Sequence, residues 1–140
     1  MDIYPTMRYK VIAPVGDNPK ALFVGIKEFP TEKVFLVTPS KNIREAQKLR
    51  KKLDDFTIQS EIIEISGNML EEMFEAFGKI CSNYNHDEIV VNVATGDRMS
   101  TCAALSASFA NGLKAFGVSG DDVMVMPIMK LSYYHELSDN

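Results

Sequence analysis

The stretch Tyr9–Phe29, YKVIAPVGDNPKALFVGIKEF, decides how the chain is read. Tyr9–Val15 (YKVIAPV) is a short apolar run that stops at Gly16, the signal of a buried strand. Asp17–Phe29 reads as a helix. Asp17 or Asn18 is placed to cap it, and Pro19 suits its first turn. Ala21, Leu22, Val24, Gly25 and Phe29 supply its apolar side, and Pro30 stops it.

Working outward, strands and helices keep alternating. Lys33–Thr38 (KVFLVT) is nearly all apolar, as expected of a strand covered on both faces in a parallel sheet. Ser40 is a candidate cap for a helix over Lys41–Phe56, where Ile43, Ala46, Leu49, Leu53 and Phe56 recur at helical spacing. Thr57–Ile65 (TIQSEIIEI) alternates more and reads as a third strand towards an edge. Gly67 and Asn68 mark a turn before a third helix with Leu70, Met73, Phe74, Phe77, Ile80, Cys81 and Tyr84 on one stripe. After the polar link Asn85–Asp87, Glu88–Val93 (EIVVNV) is the fourth strand.

Arg98–Phe116 is expected to be the fourth helix, with Met99, Cys102, Ser106, Phe109, Leu113 and Phe116 on one stripe. It is rich in small residues, from Ala103 to Gly112, which suit close packing on a sheet or on a second copy of the helix. Gly117–Asp122 reads as a loop and Val123–Ile128 (VMVMPI) as the fifth strand, with Pro127 marking its end or a sheet edge. Met129–Tyr134 (MKLSYY) is a candidate sixth, antiparallel strand.

Repeated β–α–β units require right-handed crossovers and a parallel sheet. The expected fold is therefore α/β and Rossmann-like, of strand order 3-2-1-4-5, with helices on both faces. It forms one domain over 1–140. In that order the winding reverses between the first and fourth strands, and a crevice opens at their carboxyl ends.

Composition narrows the function. With 140 residues, 46% apolar and 24% charged, the chain fits a single globular domain. A net charge of −4 argues against direct binding of a nucleic-acid duplex but allows a local anion pocket. No apolar run is long enough to span a bilayer, and MDIYPTMRYK lacks the apolar core of a signal peptide, so a cytoplasmic protein with no membrane partner is expected. Cys81 and Cys102 read as small buried residues. They share no ligand spacing with His86 or His135, so neither a metal nor a cofactor is expected. The phosphate loop GxxxxGK[ST], the dinucleotide fingerprint GxGxxG and the GxSxG elbow are all missing.

Two segments carry the functional signal. In Ala13–Leu22 (APVGDNPKAL), Gly16 lets backbone approach a ligand, the helix start presents free N–H groups, and Lys20 adds a charge. In Val91–Ser100 (VNVATGDRMS), Gly96 is free to take a positive φ or to admit a ligand against bare backbone. Thr95 and Ser100 offer hydroxyls, and Arg98 is suited to fork onto a phosphate. Asn92, an amide inside an apolar strand, is expected to tie down a neighbouring loop. Each segment alone also fits a plain connection, with Asp17, Asn18, Thr95 or Asp97 as caps and Arg98 solvated. Two of them on adjacent strands favour a site. The second helix adds Lys41, Arg44, Lys48, Arg50, Lys51 and Lys52, either a solvated face or an electropositive rim.

These segments resemble the CARF domains, the CRISPR-associated Rossmann-fold sensors. Their fourth strand ends in a pattern like Asn-x-Thr-Gly-Gly-x-Lys/Arg. Asn92, Gly96 and Arg98 fall on it, with Ala94 in place of Thr and Thr95 in place of the first Gly. Gly16-Asp17-Asn18-Pro19 resembles the family's Gly-x-x-Pro turn. The resemblance implies a homodimer that binds a cyclic oligoadenylate across its two-fold axis and regulates an effector or transcription. Gly16, Asp17, Asn18 and Lys20 would line the ring near the first strand, and Thr95, Gly96, Asp97, Arg98 and Met99 near the fourth. Binding without catalysis is the leading expectation. The alternatives are a metal-independent ring nuclease assisted by Lys20, Arg98 and Ser100, and a Rossmann-like dimerisation or regulatory scaffold with another ligand or none.

Overall fold

The computed structural model describes residues 7–127. Six strands form one sheet: β1 (Tyr9–Pro14), β2 (Thr31–Pro39), β3 (Gln59–Ile65), β4 (Ile89–Asn92), β5 (Lys114–Ser119) and β6 (Asp122–Val125). Their order is β3-β2-β1-β4-β5-β6. The first five run parallel, and β6 returns antiparallel to β5. The helices are α1 (Lys20–Glu28), α2 (Ile43–Asp55), α3 (Met69–Asn83) and α4 (Arg98–Ala110). The expected Rossmann-like order and its reversal between β1 and β4 are present.

Each sheet face carries its own core. Alternating strand side chains such as Val11, Val34 and Leu36 pack with Leu22 of α1 and Ala46, Leu49 and Leu53 of α2. Their neighbours Ile12, Phe35 and Val91 pack with Met73, Phe77 and Ile80 of α3 and Ala103, Ala104 and Ala107 of α4. Burying one such large apolar side chain stabilises the fold by about 1.5–3 kcal/mol.

The fourth helix is shorter than its sequence suggests. It ends at Ala110 because Gly112 takes φ 64°. There Leu113 N–H donates to the Ser108 carbonyl at 2.9 Å and Gly112 N–H to that of Phe109 at 3.3 Å. This Schellman arrangement needs a left-handed residue, which glycine supplies without strain. Leu113 then packs in the core below α4, Phe116 lies in β5 stacked on Phe29 at 4.9 Å, and the expected fifth strand becomes the antiparallel β6. The candidate strand Met129–Tyr134 lies outside the described residues.

The orientation of α4 is also a correction. Ser100, Ala103, Ala104, Ala107 and Ser108 face the sheet. Met99, Cys102, Leu105 and Phe109 face outward. Cys102 is therefore exposed rather than buried, whereas Cys81 is half-buried and burial pushes its thiol pKa up.

Candidate functional site

The turns after β1 and β4 meet at the carboxyl end of the sheet. Gly16 lies so close to the second turn that a Cβ would stand 2.5 Å from Asp97 N and 2.9 Å from the Gly96 carbonyl carbon. A Cβ on Gly96 would stand 2.7 Å from Pro14 Cβ and 3.1 Å from Ser100 Cβ. Gly16 thus lets one backbone lie against the other, and Gly96 lets the Pro14 and Ser100 side chains close on the turn. Asn18 N–H closes the contact by donating to the Thr95 carbonyl at 3.2 Å. From below, buried Asn92 at the end of β4 donates through Nδ2 to the Ala21 carbonyl of α1 at 3.0 Å. Its Oδ1 accepts from Ala94 N–H at 3.0 Å. One amide therefore fixes both the start of α1 and the first residue of the second turn.

The helix ends that open from this junction differ. Asp97 caps α4, its Oδ1 accepting from Ser100 N–H at 2.8 Å. That backbone bond holds the Asp97 pKa below the usual carboxylate range, helped by Lys41, whose Nζ lies 3.7 Å from Oδ2. No side chain caps α1. Its first-turn N–H groups make only long bonds, Ala21 to the Asn18 carbonyl at 3.3 Å and Leu22 to that of Pro19 at 3.2 Å. The positive end of the α1 dipole therefore has no side-chain cap among the described residues. Lys20 opens α1 and Arg98 opens α4, both exposed and without an ion pair among the described residues.

A protein-family model matches residues 11–122, which include this junction. The chain belongs to the HFX_2341_N:-like, N-terminal family. No curated protein matches the sequence. Among solved structures, Can2 from Sulfobacillus thermosulfidooxidans in complex with cyclic tetra-adenylate has a TM-score of 0.69 at 11% identity, over 89% of this chain and 37% of that one. Protein VC1899 from Vibrio cholerae has a TM-score of 0.70 at 14% identity, over 84% and 33%. A type III CRISPR defence DNA nuclease activated by cyclic oligoadenylate has a TM-score of 0.72 at 13% identity, over 86% and 20%. At these identities what is shared is the fold, and the chain spans well under half of each matched structure.

Within this fold the sequence-derived site residues separate by environment. Gly16, Asn18, Thr95, Gly96 and Asp97 are in mutual contact, and Asp17, Lys20, Arg98 and Met99 flank them, exposed. Gly16 brings backbone to backbone, whereas Gly96 makes room for the Pro14 and Ser100 side chains and does not use a positive φ. Thr95 is only 2% exposed, and its Oγ1 has no hydrogen-bond partner among the described residues. Ser100 lies next to Gly96 and Asp97. It is fully buried, with Oγ 3.9 Å from Met69 Sδ. Ser40 does not cap α2. It begins a 3-10 turn, Ser40–Asn42, and its hydroxyl donates to Glu64 Oε2 at 2.8 Å.

Two contributors escape a motif search. Lys41 reaches Asp97 from the end of β2, and Asn42 Nδ2 donates to the Val15 carbonyl at 3.0 Å. The available signal was positional, because both follow the strand next to β1 and emerge at the same end of the sheet. Among the described residues no cluster of His, Cys, Asp and Glu is suited to a metal ion, and no helix is long and apolar enough to cross a membrane.

Proposed function

We propose that the chain is a cytoplasmic ligand-sensing domain over 1–140 that binds a cyclic oligoadenylate over the junction of the β1 and β4 turns. The observation that carries this reading is the junction itself. The uncapped start of α1 and the exposed cations Lys20 and Arg98, which make no ion pair among the described residues, flank a backbone contact at the reversal of the sheet. Such an arrangement suits several phosphates spaced around a small ligand. The fold shared with Can2, solved with cyclic tetra-adenylate, points to the same ligand class.

A homodimer completes the reading. Met99 is 64% exposed and Phe109 54%, on the outward stripe of α4 that also holds Cys102 and Leu105. Large apolar residues outside and small ones inside suit a helix that meets a second copy of itself. Met99 lies in the first turn of α4, so pairing there would set two crevices side by side. Binding would then regulate an effector or transcription. Sensing is favoured over ring cleavage because Ser100, one of the three side chains a ring nuclease would draw on, is fully buried.

Calorimetric titration with cyclic tetra-adenylate and cyclic hexa-adenylate is the test. We expect saturable binding with one ring per two chains. Arg98→Ala should lose at least tenfold in affinity, matching the roughly 1.5–3 kcal/mol of a hydrogen bond to a charged group. No heat and no thermal shift with either ring would overturn the reading.

A further inference from the structure

We propose that α2 and the turn before it form an electrostatic track that guides the anionic ligand into the crevice. This inference rests on the ligand reading above and adds a kinetic role outside the binding site. Ser40–Asp55 carries six cations against Glu45, Asp54 and Asp55, a net +3 in a chain whose net charge is −4. The apolar side of α2, with Ala46, Leu49 and Leu53, is buried on the sheet. Helical geometry then puts Arg44, Lys48 and Lys51 in one row along the opposite, solvent-facing crest, with Lys41 at its head.

The row has a direction. α2 follows β2, so its first turn stands at the carboxyl end of the sheet, beside the crevice, and its last turn at the far end. At the head, Lys41 lies 3.7 Å from Asp97 Oδ2. Along the crest only Lys48 is paired, with exposed Glu45 at 3.7 Å, and Arg44 and Lys51 make no ion pair among the described residues. At 1.5 Å per residue Arg44 and Lys51 are about 10 Å apart, with Lys48 between them. Neighbouring charges therefore lie within the Debye length of about 8 Å at physiological salt, and their fields merge into one ridge from Lys41 to Lys51, ended by Asp55 on the same crest. A ridge of one sign leading to a site of the same sign raises the local concentration of an oppositely charged ligand and its on-rate by about 10 to 1,000-fold.

Stopped-flow association of fluorescently labelled cyclic tetra-adenylate tests the track. It compares the wild type with the triple variant Arg44→Glu, Lys48→Glu, Lys51→Glu, at ionic strengths from low to high. Those three side chains have no part in the crevice, and all are exposed, so the variant should fold. We expect the on-rate at low salt to fall about tenfold, the off-rate to stay unchanged, and the difference to close at high salt. The neutral variant Arg44→Gln, Lys48→Gln, Lys51→Gln should fall in between. Equal on-rates at low salt, with binding intact, would overturn the track and leave the ligand reading standing. A faster off-rate with an unchanged on-rate would overturn it too, by making α2 part of the bound complex. No association by the wild type would remove the ligand reading and the track together.

Discussion

The turns after β1 and β4 start from the same design and end in opposite electrostatic states. Each leaves a central strand, passes through a glycine and opens a helix on a cation, Lys20 or Arg98. Asp97 closes the α4 end with its own carboxylate, whereas no side chain closes that of α1. The α4 end is thus closed by a side chain, whereas the first-turn N–H groups of Ala21 and Leu22 in α1 bond only to backbone carbonyls. Adjacency packs the two turns together, while capping decides which helix end carries a side-chain carboxylate on its first-turn N–H groups.

The comparison breaks most severely at the glycines. Gly16→Val should cost about 3 kcal/mol or more, because the new Cβ meets backbone of the other turn and no flexible side chain that could yield. In a domain of this size that lowers Tm by roughly 10 °C. A melting temperature within 2 °C of wild type, read by circular dichroism, would show that the turns do not lie against each other.

A smaller effect separates the capped end from the open one. Asp97→Ala should cost about 1 kcal/mol through loss of the cap. Asp97→Asn should cost less but change the pH profile. The Asp97 pKa is lowered on folding, first by the Ser100 N–H and then by Lys41. Its contribution is therefore present above the ordinary aspartate value of about 4 and is lost as pH falls through the lower folded value. Thermal melts from pH 7 to pH 2 should show wild type and Asp97→Asn converging at the acid end. A gap that stays constant across the range would dismiss the charged cap.

The smallest expected change sharpens the contrast by giving α1 what α4 already has. Asn18→Asp places a carboxylate at the open end and should stabilise the fold by about 0.3–1 kcal/mol through the helix dipole. The same substitution should weaken ring binding several-fold, since it adds a second carboxylate beside Asp17. If calorimetry gave unchanged affinity alongside raised Tm, the start of α1 would not be where the anion sits.

Much of this was legible because it rests on local chemistry. The apolar run into Gly16, the alternation of element types and the Asn92 amide need only neighbouring residues to be read. The end of α4 was written in Asn111–Gly112 but hidden by an apolar pattern that continues to Phe116 in the helical phase. Its resolution needed the backbone, since a left-handed glycine that ends a helix and a small residue inside one look alike in sequence. The face of α4 was equally ambiguous, because both its small stripe and its large stripe have helical spacing.

By itself the sequence determined the fold class, the reversal of winding and the two segments that flank it, since periodicity and turn chemistry act over a few residues. Only the tertiary structure decided that Gly16 serves backbone contact, that Asp97 rather than Thr95 closes α4, that Ser100 is buried, and that Lys41 reaches Asp97 from a third strand end. Those outcomes depend on which groups far apart along the chain come within a few ångströms, and no local pattern records that distance.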